Sequence, residues 1–392
     1  MDRTVTFLCL ASQFKGVAFL EECHRQGCQV LLLCAEKTRN EAWPTEAISE
    51  RFFMPKLGVY PDIIHAVSHL AREHKIDRIV GMDDFDVEIA ARLREHLRVP
   101  GMGDTTARYF RDKLAMRVQA RDEGLPVPEF VHLLNYDEVR EYLQSVPAPW
   151  VLKPRSEAGS VGIKKLHHAE ELWHYAGQLG DQQSHYLLER YLPGDVFHVD
   201  SVVYDHEVLF HRASRYGVAP FNVWNEGGVF STRSLSDDDP LAQEMYELNR
   251  RLVKAMRLVR GVTHTEFIRS GDGKLYFLEM AARVGGANVD MHVEACSGVN
   301  LWREWVRLEL ACLNKQPYSV PAPRHEHSAL LVCLAKDEHP DLSAFDAPEV
   351  VWKMPRAYHA GFVLRSPDAG RIDQLVEQYR AKLQQEFSTV PG

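Results

Sequence analysis

The chain has 392 residues, too many for one compact core and suited to two or three packed domains. Hydrophobic residues make up 45% and charged residues 26%, which excludes wholesale disorder, collagen-like repeats and coiled coils. The net charge is −9 and no run of Lys or Arg forms a basic patch, so no nucleic-acid partner is expected.

The N-terminus carries an acidic second residue, Asp2, and only a short apolar run, unlike a signal peptide. No stretch reaches the roughly 18 apolar residues of a membrane helix, so the expectation is a cytoplasmic protein without a membrane partner. The seven cysteines are odd in number and include no C-x-x-C pair, which fits reduced, buried thiols.

Along the chain, residues 5–10 and 29–34 read as short buried strands with a helix over 17–25 between them. Residues 78–82 form a third strand, followed by an amphipathic stretch over 87–97, so a small parallel α/β sheet is expected. The turn Ala11-Ser12-Gln13-Phe14-Lys15-Gly16 has one glycine where a dinucleotide fingerprint needs three. A break at Pro100-Gly101-Met102-Gly103 precedes a helix capped at Asp104 or Thr105 and running through Lys113 to Arg121. Strands near 130–134 and 150–153, a helix over 137–143, a glycine-bearing loop, a strand over 162–166 and a helix near 169–179 follow. From Tyr186 the chain turns strand-rich, with strands over 196–204 and 208–214 and a helix over 241–258. A hairpin over 262–281 comes next, and the last seventy residues read as a further α+β layer ending in a helix over 371–387.

The hairpin carries the most chemistry. Asp272-Gly273 reads as a two-residue turn, and the straight ladder from it sets Glu266 opposite Glu279 on a face shared with His264, Ile268, Phe277 and Ala281. Like charges facing one another across strands destabilise a sheet, and that face offers no Lys or Arg. A divalent cation with oxygen ligands resolves the conflict; the alternative is two carboxylates exposed on an open sheet. Removing either charge is then expected to stabilise the metal-free protein. A second signal is the small-residue loop Lys153-Pro154-Arg155-Ser156-Glu157-Ala158-Gly159-Ser160-Val161-Gly162. Its backbone N–H groups can fold around phosphate oxygens with Lys153 at the rim, although it is no Walker A loop and also reads as a flexible hairpin. Third, Glu189-Arg190-Tyr191-Leu192-Pro193-Gly194-Asp195 is a strand breaking into a Pro-Gly turn, a shape suited to an adenine slot and equally to an ordinary strand end. Asp83-Asp84-Phe85-Asp86 reads as the cap of the next helix.

Taken in order, Lys113, Lys153, the glycine loop, Glu189 before Pro-Gly, and the Glu266/Glu279 pair followed by Arg283 and Gly285-Gly286 resemble the ATP-grasp superfamily. Gly261-Val262-Thr263-His264-Thr265-Glu266 with Glu279-Met280-Ala281-Ala282-Arg283 is similar to the L-amino-acid (dipeptide) ligases, carboxylate–amine ligases within it. The resemblance implies an α/β fold: an N-terminal parallel α/β domain (1–103), then a two-lobed α+β ATP-grasp domain. The small lobe with its lid would cover 104–185, the large lobe with the metal hairpin 186–320, and a C-terminal α+β layer 321–392.

It further implies ATP and Mg²⁺ as cofactors, with Mn²⁺ as an alternative metal, and carboxylate and amine substrates, amino acids foremost. A homodimer is compatible with it. Lys113 and Lys153 would contact phosphates under a lid formed by Ser156, Gly159, Ser160, Val161 and Gly162. Glu189, Arg190, Tyr191 and Leu192 would border the adenine. Glu266 and Glu279 would hold magnesium, and Arg283 and His264 would serve catalysis. Two departures stand out. The Asn common two residues after the second metal glutamate is Ala281, and the ribose-binding acid falls on Val196, leaving Asp195 as its neighbour and substitute. The implied activity is ADP-forming amide or peptide ligation through an acyl phosphate; a carboxylase of the same superfamily and a catalytically silent nucleotide binder are the alternatives. The aromatic segment 215–235, with Tyr216, Phe221, Trp224 and Phe230, is the expected substrate loop.

Overall fold

The computed structural model describes residues 4–159, 161–218 and 228–389. The N-terminal part alternates strand and helix: β1 (Thr6–Ala11), α1 (Val17–Arg25), β2 (Gln29–Ala35), β3 (Glu50–Met54), α2 (Asp62–Leu70), β4 (Arg78–Gly81) and α3 (Asp84–Leu97). The strands pair in parallel in the order β3-β2-β1-β4. The apolar runs of β1 and β2 are almost wholly buried, as parallel strands covered on both faces require. β3 and α2 were not anticipated. The strand is a short edge opening on Glu50-Arg51, and none of its residues is fully buried, so it lacks the apolar run that marks β1.

The expected single helix over 104–121 is two. A short α4 (Asp104–Ala107) leads through one tight turn to α5 (Lys113–Asp122). Asp112 caps α5, its Oδ1 accepting from the N–H groups of Leu114 and Ala115 at 3.0 and 3.3 Å. Lys113 therefore opens a helix. Next come β5 (Phe130–His132), α6 (Tyr136–Ser145), β6 (Trp150–Pro154), β7 (Lys164–Leu166), α7 (Ala169–Leu179) and β8 (Tyr186–Arg190). Their strands form an antiparallel sheet in the order β5-β8-β6-β7.

The largest sheet has eight strands. β9 (Gly194–Tyr204) and β10 (Glu207–Tyr216) meet at Asp205-His206, both with φ near +60°, the conformation of a two-residue hairpin turn. β11 (Phe230–Ser234), α8 (Pro240–Ala255), β12 (Arg260–Ser270), β13 (Leu275–Ala281), α9 (Val289–Ser297) and α10 (Leu301–Leu313) follow. β14 (His327–Leu334), β15 (Val350–Lys353), β16 (His359–Ser366) and α11 (Ala369–Lys382) complete the chain. The order is β13-β12-β9-β10-β11-β14-β16-β15. The segment expected as a separate C-terminal layer thus extends the same sheet, because β14 pairs with β11.

The β12–β13 turn differs from the expected one. Ser270 N–H donates to Lys274 O at 3.0 Å, so the loop is the three residues Gly271-Asp272-Gly273, and Gly273 takes the left-handed φ of +82° that closes it. A bulge at Leu278 then moves the ladder by one, and Glu266 pairs with Glu279 after all. The two departures cancel. The bulge also changes the face: Phe277 packs with Phe267 in the core under α8, and Leu278 takes the outward place assigned to Phe277.

Candidate active site

The C-terminal edge of the parallel sheet, the inner face of the small antiparallel sheet and the β12–β13 hairpin enclose one cavity of about 910 Å³. Lys113, Lys153, Gly159, Val161, Glu189, Arg190, Tyr191, Leu192, His264, Glu266, Glu279 and Arg283 all line it. Residues more than 150 positions apart converge because β6 and β8 present one wall and β12–β13 the other.

Lys153, Lys113 and Arg283, central to this cleft, each have a carboxylate partner. Lys153, buried in β6, forms an ion pair with Glu189 two strand positions away across β8, and Glu189 Oε2 also meets Arg117 Nε at 3.0 Å. Burial drives the Lys153 ammonium down to about 8 even with Glu189 opposing it. Burial pushes the Glu189 carboxyl up, but the charges of Arg117 and Lys153 prevail and hold it below the usual range. Lys113 Nζ lies 2.9 Å from Glu279 Oε2 and donates to the Glu157 carbonyl at 2.7 Å. That corrects the picture of an unneutralised glutamate pair: the compensating cation comes from the start of α5, not from the hairpin's own face. The Glu279 carboxyl is held down by Lys113 against the effect of burial.

Glu266 accepts from Tyr216 Oη at 2.8 Å and lies 3.6 Å from His264 Nε2. Behind it runs a buried relay. His264 Nδ1 is 2.8 Å from Asp200 Oδ1, Asp200 Oδ2 is 2.7 Å from His198 Nδ1, and His198 Nε2 is 2.7 Å from Thr232 Oγ1. Burial alone would lower His264, yet the charge and hydrogen bond of Asp200 lift it to about 9. His198, Asp200 and His264 have the composition of a metal site. Their ligating atoms bond one another, however, so they are a hydrogen-bond cluster. Gly285 makes it possible, since a Cβ there would stand 3.0 Å from His264 Nδ1 and 3.1 Å from Asp200 Oδ1.

Arg283 donates to Asp84 Oδ2 from Nη2 at 2.6 Å and from Nε at 2.9 Å. Arg283 holds the buried Asp84 carboxyl far below its usual range against the effect of burial. Asp83 caps α3 with a reciprocal bond to Asp86, as the sequence suggested. Asp84, by contrast, was taken for part of the cap and in fact reaches a partner 199 residues away. No local pattern announces such a contact.

Other expected residues fall less simply. Ser156 gives its carbonyl to Arg111, and a Cβ on Gly162 (φ +74°) would meet Pro154 at 2.9 Å; neither lines the cavity. Ser160, Phe221 and Trp224 lie outside the described residues, whereas Tyr216 and Phe230 line the cavity. Asp195 is a correction. Strand alternation turns Gly194 and Val196 to the cavity and Asp195 to the opposite face, where Arg215 pairs with it at 2.9 Å. It cannot stand in as the ribose acid from there.

The carboxylate oxygens of Glu266 and Glu279, paired across the hairpin and open to the cavity, suit a hard cation such as Mg²⁺. Ala281, in the position of the expected Asn, supplies no side-chain ligand.

Residues 110–287 match the family model described as ATP-grasp domain. The L-arginine-specific L-amino acid ligase of Bacillus subtilis is 28% identical over 240 residues, covering 60% of this chain and 58% of that protein. D-alanine--D-alanine ligase of Neisseria gonorrhoeae is 27% identical over 205 residues, 47% of this chain and 62% of that one. The chain therefore spans about three-fifths of the length of these relatives. In fold, the crystal structure of L-amino acid ligase from Bacillus licheniformis superposes with a TM-score of 0.77 at 17% identity, covering 100% of both chains. N5-carboxyaminoimidazole ribonucleotide synthetase from Thermus thermophilus gives 0.75 at 19%, covering 98% and 99%. Residues 110–287 thus match the ATP-grasp domain model, and the chain shares the fold of these solved structures.

Proposed function

We propose that the protein is an ATP-dependent carboxylate–amine ligase, with amino acids as its substrate class. The observation that carries this reading is the clustering of Lys113, Lys153, Glu266, Glu279 and Arg283 on one cavity large enough for a nucleotide and small substrates. A carboxylate oxygen attacks the terminal phosphorus of ATP, ADP leaves, and an acyl phosphate remains. An amine nitrogen then attacks the acyl carbon and loses a proton. Phosphate departs with the former carboxylate oxygen, and a C–N bond is left.

Such chemistry asks for position and neutralised charge more than for a covalent nucleophile. Lys113 and Lys153 are placed to take phosphate oxygens when the nucleotide displaces their carboxylate partners. Arg283 offers a planar fork suited to the transferred phosphoryl group or a substrate carboxylate. His264, held charged by Asp200, steadies Glu266 from behind and presents a positive edge to the acyl end. Magnesium bound by Glu266 and Glu279 would supply charge neutralisation to the phosphate tail.

The relatives' names support amino-acid substrates without naming this chain's own pair. A panel of amino acids assayed for ADP release, with products identified by mass, tests the reading. With ¹⁸O in the substrate carboxylate, one label is expected in the released phosphate. Label recovered in AMP, or nucleotide binding without any amide product across the panel, would overturn it.

A further inference from the structure

A second cavity, of about 200 Å³, lies between the free edge of β4, the start of β12 and α10, and shares no lining residue with the active site. Four arginines line it, Arg78, Arg94 and Arg260 inside and Arg257 at the exposed rim, together with a single carboxylate, Glu309. Glu309 Oε2 takes Arg78 Nε at 2.8 Å and Arg260 Nε at 3.0 Å. Arg94 makes no ion pair among the described residues. It donates from Nε to the Ile79 carbonyl at 2.9 Å and from Nη1 to the Met102 carbonyl at 2.6 Å. Burial and the neighbouring charges of Arg260 and Arg78 push it down to about 10 against the opposing charge of Glu309.

Leaving the rim Arg257 aside, the three inner positive groups and one negative group leave two charges in excess. Removing unpaired charge from water is costly, and pairing or hydrogen bonding is the usual relief. The hydrogen bonds of Arg94 are met by carbonyls, but its charge is not. Nη2 of Arg94, Nη2 of Arg78 and Nη1 of Arg260 donate to no partner among the described residues, and Arg257 stands exposed at the rim. Guanidinium forks match tetrahedral and planar oxyanions, and the volume holds one with a few waters.

We propose that this cavity is a binding site for a small dianion, a phosphate or a short dicarboxylate. The ligand neutralises the excess charge at the seam between the N-terminal sheet and the domain that carries the metal hairpin. The proposal is independent of the ligase reading.

Calorimetric titration of the full chain with inorganic phosphate, and separately with succinate, at fixed ionic strength tests it. A binding event is expected that persists in Lys153→Ala, which removes a phosphate contact of the active site. That event should weaken about tenfold or more in Arg94→Gln and in Arg260→Gln, the loss expected for one charge-assisted contact. Glu309→Gln removes the competing carboxylate, so the same anion should bind more tightly and raise the melting temperature more than in the wild type. Binding of phosphate alone or succinate alone identifies the ligand's class. Binding unchanged in folded Arg94→Gln and Arg260→Gln, or no anion-dependent gain in Glu309→Gln, would overturn the site. So would the absence of any event from either anion beyond the one lost in Lys153→Ala.

Discussion

The two cavities handle positive charge in opposite ways. In the large cleft four cations are matched one to one: Lys113 with Glu279, Lys153 with Glu189, Arg283 with Asp84, and Lys15 with Asp83 at the N-terminal rim. In the small one, four lining arginines face a single glutamate, which pairs with only two of them. Paired cations are neutral as sets, so the cleft can stay dry and ordered while it waits for a ligand that offers stronger partners. On the proposed function those partners are phosphate groups, and binding is then an exchange of partners with modest desolvation. A cavity with charge in excess has less to exchange and more to gain.

The comparison breaks first at Lys153. Lys153→Ala should reduce ADP-forming turnover by roughly 100- to 1,000-fold, as for loss of one aimed electrostatic group. Near-normal turnover in a folded variant would remove Lys153 from the phosphate-binding set. Next is Asp84→Asn, which leaves the buried Arg283 without its counter-charge. Denaturant unfolding should show a loss of about 3–5 kcal/mol, the usual consequence of breaking a buried pair from one side; unchanged stability would mean that Arg283 needs no partner while waiting.

Glu279→Gln sharpens the point. The sequence suggested that removing one of two facing carboxylates would stabilise the metal-free protein. With Lys113 at 2.9 Å, a loss of about 1–3 kcal/mol is expected, together with a raised magnesium requirement. A higher melting temperature in EDTA would restore the repelling pair. A smaller, graded effect concerns pH. Free Lys153 loses its proton near 8, and phosphate binds the charged form. ADP affinity should therefore fall as pH rises above about 8, by up to ~tenfold per unit, since each binding event must first take up a proton. Lys153→Arg, which stays charged, should flatten that dependence in calorimetry between pH 7 and 9.5. Asp195→Ala should change turnover by no more than about twofold, because its partner Arg215 is a solvent-facing contact on the far side of the sheet.

Much of this was legible in the chain. The apolar runs of β1 and β2, the helix over 17–25 and the glutamate pair could all be read because burial and alternation leave a local pattern. What escaped notice is non-local. β3 hides behind charged residues at a sheet edge, and the Asp84–Arg283 and Lys113–Glu279 pairs join segments far apart in sequence. Glu266 faces Glu279 in the straight ladder and in the structure alike because a loop longer by one residue and the bulge at Leu278 offset each other. Asp195 failed for a simpler reason: strand parity, which the sequence already contained, turns it away from the cavity once β9 is known to begin at Gly194.

The bulge at Leu278 does more than correct a register. Its carbonyl accepts from Arg117 Nη1, and the same guanidinium grips Glu189, which grips Lys153. Arg117 is fully buried, so this is a short link from the β12–β13 hairpin through α5 to the wall that bears Lys153. Two structures that share no strand are thereby kept in step. One guanidinium thus joins the residue beside Glu279 to the carboxylate that holds Lys153, and the two walls of the cleft meet at a single side chain.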